Sequence, residues 1–227
     1  MIGHSFGGAI ALAAATSWPD RVRSLTLYEP TAFSLLRGRG APDAELFRTV
    51  LQVRAEMQKR VTGGSHDGAM GHFVDFWNGP GAWDKRPLAE RDQLSPLAGK
   101  VVSDFRMLFE ALWEPEAFRR ARFPVLIQRG DRSPPAAARV AEILADVIGH
   151  ARLVTVAGVG HMVPVTDSGL IAATIREHIR ASGSPEHLEA ALKAPRDPTP
   201  SQEVTHGNVA ARSEFLSIPA PGRESAA

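Results

Sequence analysis

A short motif at the start of the sequence constrains how its first residues can fold. The run Gly3–Gly7, GHSFG, matches the pattern G-x-S-x-G, which is typical of a serine at a sharp turn between a strand and a helix. That pattern normally follows a strand, but only Met1 and Ile2 precede it here. We therefore expect the strand that leads into the turn to be almost entirely absent.

Segments with strand character alternate with segments of helical character along much of the chain. Gly7–Thr16 is rich in glycine and alanine, as expected for a helix that packs closely against a sheet, and Val22–Tyr28 predicts a buried strand. Later strands are predicted at Pro124–Arg129 and Arg152–Val156, with helices at Pro134–Val147 and Ser168–Arg180. This alternation predicts the α/β class, with a parallel sheet and right-handed crossovers.

We divide the chain into four parts. Residues 1–30 hold the motif, its helix and the following strand, and residues 31–122 form a helical insertion that includes helices at Asp43–Val61 and Val101–Leu112. Residues 123–181 complete the α/β unit. Residues 182–227, rich in proline, serine, glycine and charge, are predicted to be a disordered tail.

The helical insertion carries most of the large aromatic residues. It could act as a cap over a pocket, with the rings lining that pocket, or the rings could form the insertion's own core. Both interpretations stay open for each ring. The residues are Phe73, Phe76, Trp77, Trp83, Phe105, Phe109 and Trp113.

Composition excludes several classes of function. With 26 basic and 25 acidic side chains, the net charge of +1 gives no reason to expect nucleic acid or a membrane as a partner. The absence of cysteine excludes disulfides, thiolate metal sites and a cysteine nucleophile. No phosphate loop, metal-ligand cluster or dinucleotide motif is found, so we expect neither cofactor nor metal. We expect a small, neutral partner and, without a targeting segment, a cytoplasmic protein.

A serine hydroxyl becomes a useful nucleophile when a histidine takes its proton and an acid orients that histidine. In a parallel sheet, such groups collect at the carboxyl ends of the strands. Four candidates follow predicted strands in the chain: Ser5, Glu29, Asp131 and His161. Their order is nucleophile, acid and histidine.

On these residues, the sequence resembles the α/β-hydrolase family. The resemblance covers about residues 1–180 and rests on GHSFGG from Gly3, the strand end LYEP from Leu27, the strand and loop of residues 124–134, and the turn GVGH from Gly158. It implies a partial α/β-hydrolase fold with a helical cap. It also implies that Ser5 is the nucleophile, that His161 is the general base, and that the backbone N–H of Phe6 is an oxyanion-hole donor.

The acid of this arrangement stays open between two residues. Many family members carry it three residues after the glycine that ends the strand, and that position is Ser133 here. Asp131 reaches the histidine if its loop is reshaped, whereas Glu29 occupies the position used by members whose acid follows the preceding strand. Asp131 could instead cap its loop, and Glu29 could instead pair with a nearby arginine.

The resemblance also implies a class of reaction. A serine at the turn, rather than an aspartate, argues against the family's dehalogenases and epoxide hydrolases. Acyl transfer to water remains, and we expect a small carboxylic ester as the substrate. The alternative substrates are a thioester, a carbon–carbon bond beside a ketone, and a carboxylate that forms a peracid. The sequence does not identify the acyl group.

The family's sheet normally has strands before the serine turn, and its second oxyanion donor comes from an early loop. Neither precedes the motif here, so we expect an N-terminally truncated member with an unpaired sheet edge beside Met1 that favours self-association. The alternative hypothesis is a catalytically incompetent fragment, or a remnant that serves in binding without catalysis.

Overall fold

The computed structural model describes residues 1–183 except 112, 114 and 120. Of the predicted tail, 182–227, only two residues are described, and Ser182 is the last residue of a helix. The rest of that prediction lies outside the described residues.

Within the described residues, four parallel strands form one sheet in the order β1-β2-β3-β4. Their bounds are Ile2–His4 for β1, Leu25–Tyr28 for β2, Val125–Gly130 for β3 and Arg152–Val156 for β4. The order in space follows the order in the chain, so the carboxyl ends of successive strands lie side by side. This confirms the predicted α/β class with a parallel sheet.

Helices connect and cover the strands. They are α1 (Ser5–Ser17), α2 (Ala41–Thr62), α3 (His66–Asn78), α4 (Leu88–Leu94), α5 (Ala98–Glu110), α6 (Pro115–Arg119), α7 (Pro135–Ile148), α8 (Val163–Thr166) and α9 (Gly169–Ser182). Shorter 3₁₀ turns span Pro19–Arg21, Phe33–Leu36 and Ser95–Leu97. Helices α2 to α6 lie in the long connection between β2 and β3.

The first strand is short but present, which corrects the expectation that it would be almost entirely absent. Ile2 pairs with Thr26 and His4 pairs with Tyr28 in parallel register. The Met1 ammonium group donates a hydrogen bond to the Ser24 carbonyl at 2.7 Å. Three residues are enough to direct the chain into α1. Within the described part of the chain, β1 pairs with β2 alone and Ile2 is exposed, so self-association through this edge stays a prediction.

The sheet and the helical insertion share one hydrophobic core. Leu27 and Ile127 from the sheet, Ile143 from α7, Met57 from α2 and Phe105 from α5 all belong to the same buried cluster. A smaller cluster on the opposite face of the sheet joins Tyr28 to residues of the loop after β4 and of α8 and α9: Val159, Val163 and Ile171. The insertion is therefore packed onto the sheet by continuous apolar contact.

An ion pair also joins the insertion to the sheet's covering helix. Asp43, in the first turn of α2, is buried and accepts hydrogen bonds from Arg139 of α7 at 2.8 and 3.2 Å. Glu142 accepts from both Arg139 and Arg129 of β3. These bonds hold the pKa of the Asp43 carboxyl below its usual range. Among the residues that the structure describes, no helix is both long and apolar enough to cross a membrane.

We expect Asp43→Asn to lower the free energy of unfolding by about 1–2 kcal/mol, because it removes the negative charge of a buried bidentate pair and leaves Arg139 paired with Glu142. The effect is limited because Arg139 is 35% exposed and water screens part of the pair. Urea denaturation followed by circular dichroism measures it. The matched control is Glu45→Gln on the same helix, whose exposed pair with Arg48 should contribute less than about 0.5 kcal/mol. Equal losses for both variants would contradict a special role for the Asp43 pair.

Candidate active site

The carboxyl ends of the strands bring Ser5, Glu29 and His161 into one hydrogen-bonded row. The Ser5 hydroxyl lies 2.9 Å from His161 Nε2, and His161 Nδ1 lies 2.8 Å from Glu29 Oε2. Ser5 follows β1, Glu29 follows β2 and His161 follows β4, so three different strands hold the three groups. This is the geometry in which a histidine takes a proton from a serine while an acid orients the histidine.

Ser5 stands at a strained turn. Its φ of +55° lies in the left-handed region, which L-residues with side chains avoid. The turn is tight: a Cβ on Gly3 would lie 2.5 Å from the Gly7 carbonyl oxygen, and one on Gly8 would lie 3.0 Å from Pro30 Cα. Glycine at positions 3 and 8 therefore lets the start of α1 approach the ends of β1 and β2, whereas a Cβ on Gly7 would meet open space.

Glu29 is fully buried and also has a left-handed backbone, with φ of +42°. Its Oε1 accepts the backbone N–H of Gly130 at 2.6 Å, and its Oε2 faces His161. A buried carboxylate needs such partners because burial without them is costly. A carboxylate can only accept hydrogen bonds, so His161 carries its proton on Nδ1 and its Nε2 is free to accept the Ser5 O–H.

The backbone around His161 is held by two side chains, one from β1 and one from β2. The Tyr28 hydroxyl donates to the Gly160 carbonyl at 2.9 Å, and His4 Nε2 donates to the His161 carbonyl at 2.8 Å. Gly130 allows the loop to come close, since a Cβ there would lie 2.2 Å from the Val159 carbonyl oxygen. His4 belongs to the GHSFG motif, whereas no pattern in the sequence pointed to a role for the Tyr28 hydroxyl.

Burial sets the protonation of these groups. It lowers the pKa of His161, although Glu29 opposes this shift by favouring the charged imidazolium. Burial, together with the nearby His161, lowers the pKa of His4 to about 4, so His4 is neutral near pH 7. Burial also raises the pKa of the Tyr28 hydroxyl, which keeps its proton and stays a donor.

Asp131, the other predicted acid, lies elsewhere in the network. Its carboxylate accepts the backbone N–H of Gly158 at 2.8 Å in an exposed loop. Glu29 and Ser5 already engage the two ring nitrogens of His161. In this structure, Asp131 therefore caps the loop that leads to His161, which is the alternative interpretation that the sequence left open for it.

A cavity of about 70 Å³ opens beside Ser5. Aromatic and aliphatic side chains from the insertion form most of its wall, which is the arrangement expected of a cap over a pocket. The lining residues are Ser5, Phe6, Thr31, Phe33, Phe73, Trp77, Val101, Asp104, Phe105 and Leu108. A wider depression of about 560 Å³ between α2 and α3 includes none of the three hydrogen-bonded residues, so we place the site at the smaller cavity.

Trp77 of α3 stacks on the imidazole of His161. The ring centroids lie 3.5 Å apart and the ring planes differ by 15°. Trp77 is 4% exposed and so shields one face of the histidine from water. The sequence predicted that the cap's rings could line a pocket, but it gave no local signal that one of them contacts His161.

Phe6, the predicted oxyanion donor, lies in the first turn of α1 and lines the cavity next to Ser5. Backbone N–H groups in the first turn of a helix have no acceptor within that helix, and the helix dipole favours negative charge there. Among the described residues, no group of acidic and histidine side chains has an arrangement suited to holding a metal ion.

A family model described as the alpha/beta hydrolase fold matches residues 1–168. No curated protein sequence matches the chain.

Solved structures of similar fold include MenH from S. aureus, with a TM-score of 0.58 and 16% identity over 81% of this chain and 68% of that one. A thermophilic esterase has a TM-score of 0.52 and 19% identity over 80% and 66%. The third, 2-hydroxy-6-oxo-6-phenylhexa-2,4-dienoate hydrolase from Rhodococcus sp., has a TM-score of 0.52 and 21% identity over 79% and 63%. The chain thus spans about two thirds of the length of these proteins.

We expect Gly3→Ala to lower the free energy of unfolding by about 1–3 kcal/mol, because its Cβ would collide with backbone atoms of Gly7 and Gly8. Gly7→Ala is the matched control in the same motif. Its Cβ meets open space within α1, where alanine is favoured over glycine by about 0.5–1 kcal/mol. Urea denaturation of both variants measures the difference, and equal destabilisation would contradict the packing described for this turn.

Proposed function

Because the chain belongs to the α/β-hydrolase family, we propose that it is a serine hydrolase that cleaves a carboxylic ester. The observation that carries the proposal is the hydrogen-bonded row of Ser5, His161 and Glu29 beside the cavity. The strained backbone at Ser5 and Glu29 supports it. Such conformations cost on the order of 1–3 kcal/mol each and tend to occur at functional sites.

In the first half of the proposed reaction, Ser5 Oγ attacks the ester carbonyl carbon while His161 Nε2 accepts the serine proton. The carbonyl oxygen becomes an oxyanion beside the first turn of α1, where the Phe6 N–H has no acceptor within the helix and the helix dipole favours negative charge. The oxyanion then collapses, the carbon–oxygen bond to the alcohol breaks, and His161 Nε2 returns the proton to the departing alcohol. The product of this half is an ester of Ser5.

In the second half, water attacks the acyl group on Ser5 and gives a proton to His161 Nε2. Collapse of the second oxyanion releases the carboxylic acid and returns the proton to Ser5 Oγ. Glu29 keeps the His161 proton on Nδ1 throughout and stabilises the imidazolium that forms in each half. Every step uses groups of this chain together with the ester and water.

We expect the full chain to hydrolyse p-nitrophenyl acetate in a reaction that Ser5→Ala abolishes. Glu29→Gln should reduce kcat by about 10³–10⁴-fold, because an amide favours the wrong tautomer of His161. Asp131→Asn is the matched control and should change kcat by less than about threefold, since it affects only a loop cap. Release of p-nitrophenolate measures all four proteins.

A second readout tests the nucleophile without turnover. A fluorophosphonate probe should form a covalent bond to Ser5 Oγ with loss of fluoride, and peptide mass mapping locates the adduct. Turnover that survives Ser5→Ala, or labelling at another serine, would overturn the proposal. An equal loss in Asp131→Asn and Glu29→Gln would reassign the acid.

The Trp77 stack predicts how activity depends on pH. A general base must be neutral to act, so the acid limb of kcat/KM follows the pKa of His161. Trp77→Leu admits water to the imidazole, which should raise its pKa towards the ordinary value of 6.5 and move the acid limb to higher pH. Trp77→Phe keeps a ring over His161 and should leave the limb close to that of the wild type. An acid limb that does not move in Trp77→Leu would show that the stack does not shield His161.

A further inference from the structure

We propose that the cavity beside Ser5 is an acyl pocket for uncharged chains of up to about four carbons, and that Phe105 sets this limit. The inference rests on the proposed ester hydrolysis and adds the class of acyl group. It is carried by the volume of the cavity, the chemistry of its wall and the position of one ring.

The volume limits the length of the acyl chain. A water molecule needs about 10–15 Å³ of such a cavity, and a methylene group, which is larger than water, needs at least the upper end of that range, so about 70 Å³ accommodates about five such groups. The carbonyl carbon, carbonyl oxygen and remaining carbons of a butyryl group reach about this number. A longer chain therefore requires a residue of the wall to move.

The wall favours an uncharged acyl group. Of the described residues that line the cavity, Asp104 alone carries a charge, and it is negative. Its partner Lys100 lies one turn earlier on α5, is 65% exposed and does not line the cavity; its ammonium pairs with Asp104 and lies 5.4 Å from the centroid of the Phe6 ring. A carboxylate on the acyl chain would be buried against apolar rings and Asp104 without a cation inside the pocket, which is costly.

Phe105 is the side chain best placed to set the length. It is 3% exposed, lines the cavity and packs edge to face on Phe73, with ring centroids 6.0 Å apart. Removing its phenyl ring would enlarge the cavity towards the backbone of α5. Phe109 lies one turn further along the same helix and is 5% exposed. It packs on Phe47 and on Phe105 itself, with ring centroids 5.6 and 5.8 Å away, but it does not line the cavity. The two residues form a matched pair for mutation.

The test measures kcat/KM for p-nitrophenyl acetate, butyrate, hexanoate and octanoate. We expect wild-type kcat/KM to fall by about tenfold or more from butyrate to hexanoate, the discrimination that a filled pocket gives against extra methylenes. Phe105→Ala should raise the hexanoate-to-butyrate ratio by about tenfold or more. Phe109→Ala, with a comparable loss of core packing, should leave that ratio within about twofold of wild type.

A second arm tests charge at constant size with methyl succinamate, which is neutral, and monomethyl succinate, which carries a carboxylate; acid release at constant pH measures both. We expect the succinate ester to react about tenfold or more slowly, and Asp104→Asn to reduce this difference. If Phe105→Ala does not fold, Phe105→Leu makes a smaller opening and should shift the length ratio in the same direction. Preference for hexanoate or succinate by the wild type, or equal effects of Phe105→Ala and Phe109→Ala, would overturn the inference.

A binding measurement separates failure of this inference from failure of the proposed function. Ligand-observed NMR with Ser5→Ala compares butyramide, hexanamide and succinamate, none of which needs to react. Stronger binding of butyramide, and a change of preference towards hexanamide when Phe105→Ala is added, supports the pocket even if no ester is hydrolysed. Equal binding of all three amides overturns the pocket even if Ser5-dependent hydrolysis is found.

Discussion

The buried carboxylate of Glu29 is the group on which the rest of the site depends. A carboxylate with no exposure to water must receive hydrogen bonds from the protein, and here they come from the Gly130 N–H and from His161. The first bond joins the ends of β2 and β3, and the second joins β2 to the loop after β4. Satisfying one side chain therefore aligns three strands, and the same two bonds set the tautomer of the histidine that faces Ser5.

Further hydrogen bonds position the loop that carries His161. Its carbonyl groups accept hydrogen bonds from Tyr28 and His4, two side chains that project from paired positions of adjacent strands. Burial keeps the Tyr28 hydroxyl protonated and the His4 imidazole neutral, so both side chains can donate these hydrogen bonds near neutral pH. Trp77 covers the open face of the imidazole. The histidine is thus held through its backbone by the sheet and through its ring by the cap.

The sequence predicted the sheet, and much of the site, because the patterns concerned are local. Alternation of apolar strands with helices requires a parallel sheet, and the motif around Ser5 marks a turn that glycines make possible. The sequence could not decide which acid faces His161, since Glu29 and Asp131 both follow strands. What distinguishes them is the left-handed backbone at Glu29. The contact of Trp77 with His161 depends on how the insertion folds back over the sheet, and no neighbouring residue in the chain signals it. The catalytic roles of these residues stay predictions.

The continuous core between the insertion and the sheet limits how ligands can enter and leave the cavity. Lifting helices α2 to α5 as a rigid lid would expose Phe105, Met57 and their apolar neighbours to water, a large free-energy cost for each opening. Ligands are instead expected to enter through rotation of side chains at the cavity's rim, where the Lys100 and Asp104 pair is partly exposed. Such rotations occur in picoseconds to nanoseconds, whereas collective lid motions take microseconds to milliseconds. On this basis, admission of a ligand would be fast compared with any chemical step that follows it.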